Sequence, residues 1–416
     1  MHDVLFARGQ MAVSLAFHIV FAAIGIALPL LMVLAEVRWI RTRDPDYLDL
    51  AKRWSKGAAV LFAVGAVSGT VLSFELGLLF PTFMKHAGPL VSMPFSLEGF
   101  AFFTEAIFLG IYLYGWNRVP EKVHVAAGLA VAVSGAASAL FVTIANAWMN
   151  APTGFRVLDG QFVDVNPLRA MATPFALHEV VHGTLAAYVA TGIAVAAIHA
   201  VLLLRNPGST FHRKALMLAL LIAAPSALLQ PLTGHYAGHK VAIGQPAKLA
   251  AMEQLERTQA NAPVSVGPIV VPDALSILAH GSPSAVVTGL DAFAPRDRPP
   301  RVVKPLFQGM VFLGVILAAY AAWAIWLRVR ARPLSRAFLL ATAVVGPFGF
   351  LALEAGWGVT ELGRQPWVIY GFLRTADAVT PMRGLVVPFT AFVVVYLFLS
   401  AAVIVLLRDQ FRETTT

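Results

Sequence analysis

The 416-residue sequence contains no cysteine, so it can form no disulfide and offers no thiolate to a metal. Any bound iron or other ion must be held by His, Met or carboxylate side chains. Charge is scarce as well, with Asp, Glu, Lys and Arg at 13% of residues against 58% apolar ones. Together with a mean hydropathy of +0.74, this places most of the length in hydrocarbon and excludes a soluble globular class. The formal charge of +9 is therefore a question of membrane topology and not of nucleic-acid affinity. The N-terminus lacks a basic n-region and a small-residue cleavage site, so its first apolar run reads as a retained helix and not a signal peptide. An internal repeat is missing too, which weakens an inverted-repeat transporter reading.

What is present is a series of nine apolar stretches long enough to span a bilayer at about 20 residues each. They run over 12–36, 57–80, 93–116, 124–149, 180–204, 215–235, 305–327, 337–357 and 384–407. The fold expected is all-α and polytopic. The short connections alternate in charge. Seventeen Lys and Arg, including Arg38, Arg41, Lys52, Arg53, Arg408 and Arg412, fall on one side against seven in the N-terminus and short loops of the other. By the positive-inside rule the N-terminus lies outside and the C-terminus in the cytoplasm.

The chain divides into 1–235 with six spans, an outer segment 236–304, and 305–416 with three more. A loop as long as 236–304 points to function or disorder; it contains the helix-like run KLAAMEQLERTQ at 248–259, whose plain alternative is a solvated helix face. The segment 150–179 reads as turns over the outer surface. Inside the spans, His18, Glu75, Glu98, Glu105, His178, His182, Glu354 and Glu361 all fall in the outer half. With no Lys or Arg mid-span, these acids must be protonated, face water or lie near a bound cation. Such a convergence of His, Met and Glu would suit haem iron. Trp148, Trp357 and Trp367 read first as an interfacial belt.

The most demanding stretch is FLALEAGWGVTELGRQPW at 350–367. A carboxylate in an apolar helix costs roughly 2.5–3.5 kcal/mol and persists only with a partner, a cavity or a function. Glu354 and Glu361 are seven residues apart, so they share a face about 10 Å apart along the axis. Gly356, Gly358 and Gly363 clear room beside them. Pro366 should end the helix and leave Arg364 at the membrane surface.

Six motifs, RGQMAVSLAFH at 8–18, SLEGFAFFTEAIFLGIYLYGW at 96–116, ANAWMNAPTG at 145–154, HGTLAAYVATG at 182–192, KLAAME at 248–253 and TELGRQPW at 360–367, occur in the order found in subunit I of the cytochrome bd quinol oxidases. The chain resembles that family, including its cyanide-insensitive branch, over essentially its whole length. The resemblance implies a multi-pass protein of the bacterial inner membrane that oxidises ubiquinol or menaquinol outside and reduces dioxygen to water with cytoplasmic protons. It further implies a proton-motive force built without pumping.

The same resemblance implies the site. His182 and Met310 would be the axial ligands of a low-spin haem b, with His178 the competing histidine one turn earlier. His18 and Glu361 would hold the high-spin haem b and a third haem, d or a further b. Arg8 and Arg364 would neutralise propionates, Glu98 and Glu105 would deliver protons, and Lys248 and Glu253 would serve quinol. The family implies a second large subunit and small single-helix subunits as partners within the lipid bilayer, and no nucleic acid. Two departures stand out: Gln308 replaces the basic residue that relatives carry two positions before the methionine, and the outer loop is compact. The rival classes are a proton-coupled membrane transporter and a haem-b quinol dehydrogenase that does not meet oxygen.

Overall fold

A computed structural model describes residues 2–267 and 269–412. In chain order it contains α1 (His2–Thr42), α2 (Pro45–Leu79), α3 (Pro81–Tyr114), α4 (Glu121–Asn150), β1 (Arg156–Leu158), β2 (Gln161–Val163), α5 (Pro167–Met171), α6 (Ala176–Arg205) and α7 (Thr210–Gly244). There follow α8 (Pro246–Glu253), β3 (Val264–Val266), β4 (Ile269–Val271), α9 (Ala274–His280), α10 (Val303–Val329), α11 (Arg336–Val345), α12 (Phe348–Gly363), β5 (Trp367–Ile369), β6 (Leu373–Arg374), α13 (Thr375–Ala378) and α14 (Val386–Arg412). Nine helical spans are long and apolar enough to cross a membrane among the described residues, the eighth built from α11 and α12 together. The side chain of Arg412, counted above with the cytoplasmic charges, lies outside the described residues.

Local chemistry explains where these helices begin. Asp44, Asn166, Ser209 and Ser335 each accept a bond from a main-chain N–H of the first turn that follows, the usual work of a polar N-cap. Pro45, Pro81 and Pro246 start their helices where no N–H is needed. Several helices outrun the apolar windows. The first starts at His2 and not near residue 12, the third at Pro81 with Pro89 and Pro94 inside, and α7 continues through Pro225 and Pro231 to Gly244. Hydropathy marks only the part in hydrocarbon, whereas polar helix ends continue until packing stops.

Two other expectations change. The eighth span is interrupted at Gly346 and Pro347, since proline cannot donate the next helical bond, and a Cβ on Gly346 would lie 2.7 Å from that of Ala197 on α6. The run 248–259 is helical only to Glu253, because Gln254 turns left-handed at φ 51. The segment 150–179 is more than turns; it holds the β1–β2 hairpin and α5.

Small residues bring the spans together, as expected where lipid provides no hydrophobic drive between helices. A Cβ on Gly192 would sit 2.7 Å from Ala223, and one on Gly349 2.5 Å from the Ala190 backbone. The largest apolar core lies between α6, α7, α10 and α11, around Ile193, Leu216, Ala219, Leu317 and Phe338.

Polar contacts define two ends of the bundle. At one, Arg43 pairs with Glu121 at 2.5 Å and Lys214 with Asp44 and Asp46 at 2.5 and 2.6 Å; the Lys214 ammonium holds the Asp44 carboxyl below its ordinary range. At the other, α8 and the hairpins form a cover. Tyr370 N bonds Met149 O at 3.0 Å and Thr380 N bonds Leu79 O at 2.8 Å. Gly384 N reaches Asp3 at 2.9 Å.

Candidate functional site

The histidines are oriented by hydroxyls. His18 Nδ1 lies 3.0 Å from Ser68 Oγ, and that hydroxyl donates to Val64 O or Gly65 O. Ser68 therefore accepts from His18 Nδ1–H, leaving the lone pair on Nε2. His182 repeats the arrangement with Thr233 Oγ1 at 2.9 Å, itself donating to Gln230 O. Gln230 Nε2 lies 3.2 Å from His182 Nε2 and also donates to His182 O. Glycine stands beside each candidate ligand: a Cβ on Gly69 would be 2.9 Å from His18 Cε1, on Gly234 3.3 Å from His182 Cε1, and on Gly356 3.0 Å from Met310 Sδ. His178 is buried against the rings of Phe175 and Tyr236 with Nε2 unpartnered.

Under the cover, α8, α12 and α4 assemble one polar cluster. Arg364 Nη2 pairs with Glu361 Oε2 at 2.5 Å, and Asn146 Nδ2 donates to the other carboxylate oxygen. Lys248 is 3% exposed, and its Nζ donates to Asn150 Oδ1 at 3.1 Å. Gln245 also donates to Asn150. Gly363 makes this possible, since a Cβ there would fall 2.7 Å from the Lys248 stem. Burial pulls the Lys248 ammonium below the ordinary lysine range, and the carboxylate of Glu179 opposes that pull.

Three surface expectations are corrected here. Arg364 is 2% exposed and not on the protein surface, because α12 ends at Gly363, short of Pro366, and the guanidinium folds back onto Glu361. Lys248 faces the bundle and not solvent. Trp148 is buried, its indole N–H bonded to Thr153 O at 2.8 Å, so it belongs to the core and not to an interfacial belt.

The remaining residues spread around this cluster. Glu253 points away from Lys248, toward the start of α10, where Lys304 Nζ bonds its main-chain oxygen at 3.1 Å. Burial raises its carboxyl above the ordinary range, with Lys304 acting the other way. Gln308 donates to Ser265 O at 2.6 Å and so ties β3 to α10. Glu98 accepts from Ser138 at 3.1 Å, and Glu105 is buried beside Gly25 and Gly135. Glu75 is buried with Gln10 and Ser14 as donors. Arg8 is exposed, and Glu354 keeps one buried oxygen unpartnered. Asn146, Asn150, Gln245 and Glu179 were missed as site residues; the amides at 146 and 150 in an otherwise apolar helix were the available signal.

The family model for cytochrome bd terminal oxidase subunit I matches residues 6–415. The chain belongs to this family. Among its relatives, a Bacillus subtilis (strain 168) chain named for a cytochrome bd menaquinol oxidase subunit I is 38% identical, over 99% of this chain and 97% of its own length. The cytochrome bd ubiquinol oxidase subunit 1 of the same organism is 30% identical over 99% and 94%. The structure of the bd oxidase from Geobacillus thermodenitrificans superimposes with a TM-score of 0.92 at 38% identity, covering 99% of this chain and 98% of that one. Membership makes this a quinol-oxidising terminal oxidase chain and a multi-pass protein of the bacterial inner membrane.

The residues fit the haem that a cytochrome requires. The guanidinium of Arg364 has its Nε and Nη1 buried without a partner. Two orphaned donors of a guanidinium are what a propionate carboxylate would satisfy. The free Nε2 lone pair of His18 and the glycines beside His18, His182 and Met310 fit the approach of a flat macrocycle.

Proposed function

We propose that this chain is the haem-bearing subunit that oxidises membrane quinol at its loop-covered end and reduces dioxygen to water with protons drawn from the opposite end. The observation that supports this best is the buried cluster in which Lys248, from the loop, sits over Gly363 beside the Glu361–Arg364 pair. It joins a quinol-end residue to a ligand position within one polar pocket. His182 and Met310 would hold a low-spin haem b; His18 and Glu361 would hold the high-spin haem b and the third haem, d or a further b. Bound there, these groups would supply electron transfer and oxygen reduction.

The protein's own side chains do the rest. Ser68 and Thr233 fix the ring orientation of His18 and His182. Arg364, with Arg8 nearer the surface, balances propionate charge. Glu253, its carboxyl raised by burial, accepts a quinol proton, and Lys248 orients the headgroup or stabilises its developing charge. Glu98 and Glu105 pass protons along α3. The loop from 236 to 304, tied down by Gln308, covers the quinol end, while helices 1–235 and 305–416 carry the ligands. The orientation that follows from the basic loops puts α8 outside and the C-terminus in the cytoplasm. Quinol protons then leave outside and oxygen takes its protons from inside, which builds a proton-motive force without a pump. Lipid-facing apolar side chains such as Phe74, Phe100, Phe103 and Ile107 leave surface for a second large subunit and for single-helix partners.

A reduced-minus-oxidised spectrum of the purified protein, followed by oxygen uptake with ubiquinol or menaquinol, tests the reading. Haem bands with quinol-driven oxygen uptake are expected. A colourless preparation would leave the transporter class standing, and haem without oxygen uptake would leave the dehydrogenase.

A further inference from the structure

At the end of the bundle opposite α8, three buried groups meet outside the site described above. His124 on α4 places Nδ1 2.7 Å from Glu36 Oε1 on α1 and Nε2 2.9 Å from the main-chain oxygen of Tyr112 on α3. Both side chains are buried, at 4% and 1% exposure. A carbonyl oxygen only accepts, so Nε2 carries a hydrogen. The Nδ1–Glu36 contact then holds one proton in either of two positions, on the imidazole or on the carboxyl. The second oxygen of Glu36 and the Tyr112 hydroxyl are buried and unpartnered, which leaves one acceptor and one hydroxyl through which a proton can arrive or leave. The Trp116 ring lies 4.0 Å from the imidazole, and Lys52 Nζ lies 5.3 Å from the same ring.

This trio opens a seam that leads to the acids of α3. Tyr112, Glu105 and Glu98 follow one another at intervals of seven residues and therefore share a helix face. Opposite them on α4, Gly128 packs against Tyr112, Gly135 against Glu105, and Ser138 bonds Glu98. On α1, Pro29 removes the N–H that would bond Gly25 O. The freed carbonyl lies where a Cβ on Gly135 would meet it at 3.1 Å, next to Glu105 Oε1 at 3.2 Å. A small cavity lined by Gly25, Leu28, Pro29, Phe62, Leu109 and Glu105 adjoins Glu105 and reaches Leu109, one turn short of Tyr112.

We propose that Glu36 and His124 form the proton-loading pair of this seam, taking protons from the aqueous phase at their end and releasing them toward Glu105. The inference rests on the reading that the α3 acids carry the substrate protons of oxygen reduction. In each passage a proton enters at the free oxygen of Glu36, the proton of the 2.7 Å contact shifts to His124 Nδ1, and its return shift lets Glu36 release a proton toward the cavity. The pair ends as it began.

The test uses the assembled oxidase in membranes, with oxygen uptake measured on quinol and on reduced phenylenediamine, in water and in heavy water. Glu36→Gln and His124→Gln should keep the haem spectrum, slow about tenfold or more with both donors, and show an enlarged solvent isotope ratio. Glu36→Asp should restore most of the rate. Full rates in both variants alongside a slow Glu105→Gln would overturn the pair and leave the α3 acids standing. Full rate in Glu105→Gln would overturn the reading beneath it as well. A slow Glu36→Gln with an unchanged isotope ratio and no rescue by aspartate would mark the pair as a structural tie between α1 and α4, which also overturns the proposal. If Glu36→Gln fails to retain haem, His124→Gln decides by the same measurements.

Discussion

A histidine serves iron only if one nitrogen keeps its lone pair, and at His18 and His182 that condition is set by a neighbouring hydroxyl whose own proton is already committed to a main-chain oxygen. His182→Ala and Met310→Leu should each abolish the low-spin haem signal while the protein still inserts. Ser68→Ala should weaken haem retention at His18 by about 10–100-fold, the usual effect of removing a ligand's outer partner. A low-spin spectrum surviving only in His182→Ala would transfer the role to His178. The two glutamates of α12 separate in the same way. Glu361 is held by Arg364 and Asn146 at the polar cluster, whereas Glu354, two turns below, has an unpartnered oxygen and no such neighbours. Glu361→Ala should therefore lose a high-spin haem and oxygen reduction, and Glu354→Gln should keep the pigment. Equal haem content in the two variants would reduce both acids to the lining of a wet crevice. Residue types and spacing made these candidates legible in the sequence. The burial of Lys248 and Arg364 was not, because it depends on Gly363 and on a helix end that only tertiary packing fixes.

At the scale of elements, α8 shows why a charged amphipathic run misleads. Lys248 and Glu253 are five residues apart, which on a helix turns them about 140° from each other, so one enters the bundle and the other faces the start of α10. A base must be deprotonated to take a proton, and burial has raised the Glu253 carboxyl. Quinol oxidation should thus be complete above that raised value and fail as pH falls through it, whereas oxygen uptake with phenylenediamine should lack that limb. Glu253→Ala should remove quinol activity and spare the artificial donor. Helix contacts offer a second element-scale test. A Cβ on Gly349 meets the Ala190 backbone at 2.5 Å and cannot be accommodated by side-chain motion, whereas one on Gly110 meets nothing within 4 Å. Gly349→Ala should destabilise by about 1–3 kcal/mol, visible as a lower melting temperature, and Gly110→Ala should leave it unchanged. The nine spans were legible as apolar runs. Their true lengths, and the break at Gly346 and Pro347 in the eighth, were not, since hydropathy does not register where polar helix ends find partners.

For the whole molecule, the sidedness of the bundle decides whether the chemistry stores energy. The proposed quinol end and the seam between Glu36 and Glu105 lie at opposite ends of the bundle, so the gradient has the sign that stores energy for the cell only if the chain inserts with α8 outside. The uneven distribution of Lys and Arg between the short loops argues for that orientation; their low charge otherwise gives no other sign of sidedness. The complete lack of cysteine makes the point directly measurable, because any single cysteine introduced is the only thiol in the chain. Ser284 and Arg330 are exposed, the first in the cover and the second in the connection after α10 at the opposite end. In intact spheroplasts a membrane-impermeant maleimide should label Ser284→Cys, and Arg330→Cys should react only after the membrane is opened. Neither side chain belongs to the site, so both variants should retain oxygen uptake and report the native orientation. The reverse labelling pattern would place the proposed quinol end in the cytoplasm, so that protons would be released inside and consumed from outside, and turnover in vesicles would build a gradient of the opposite sign.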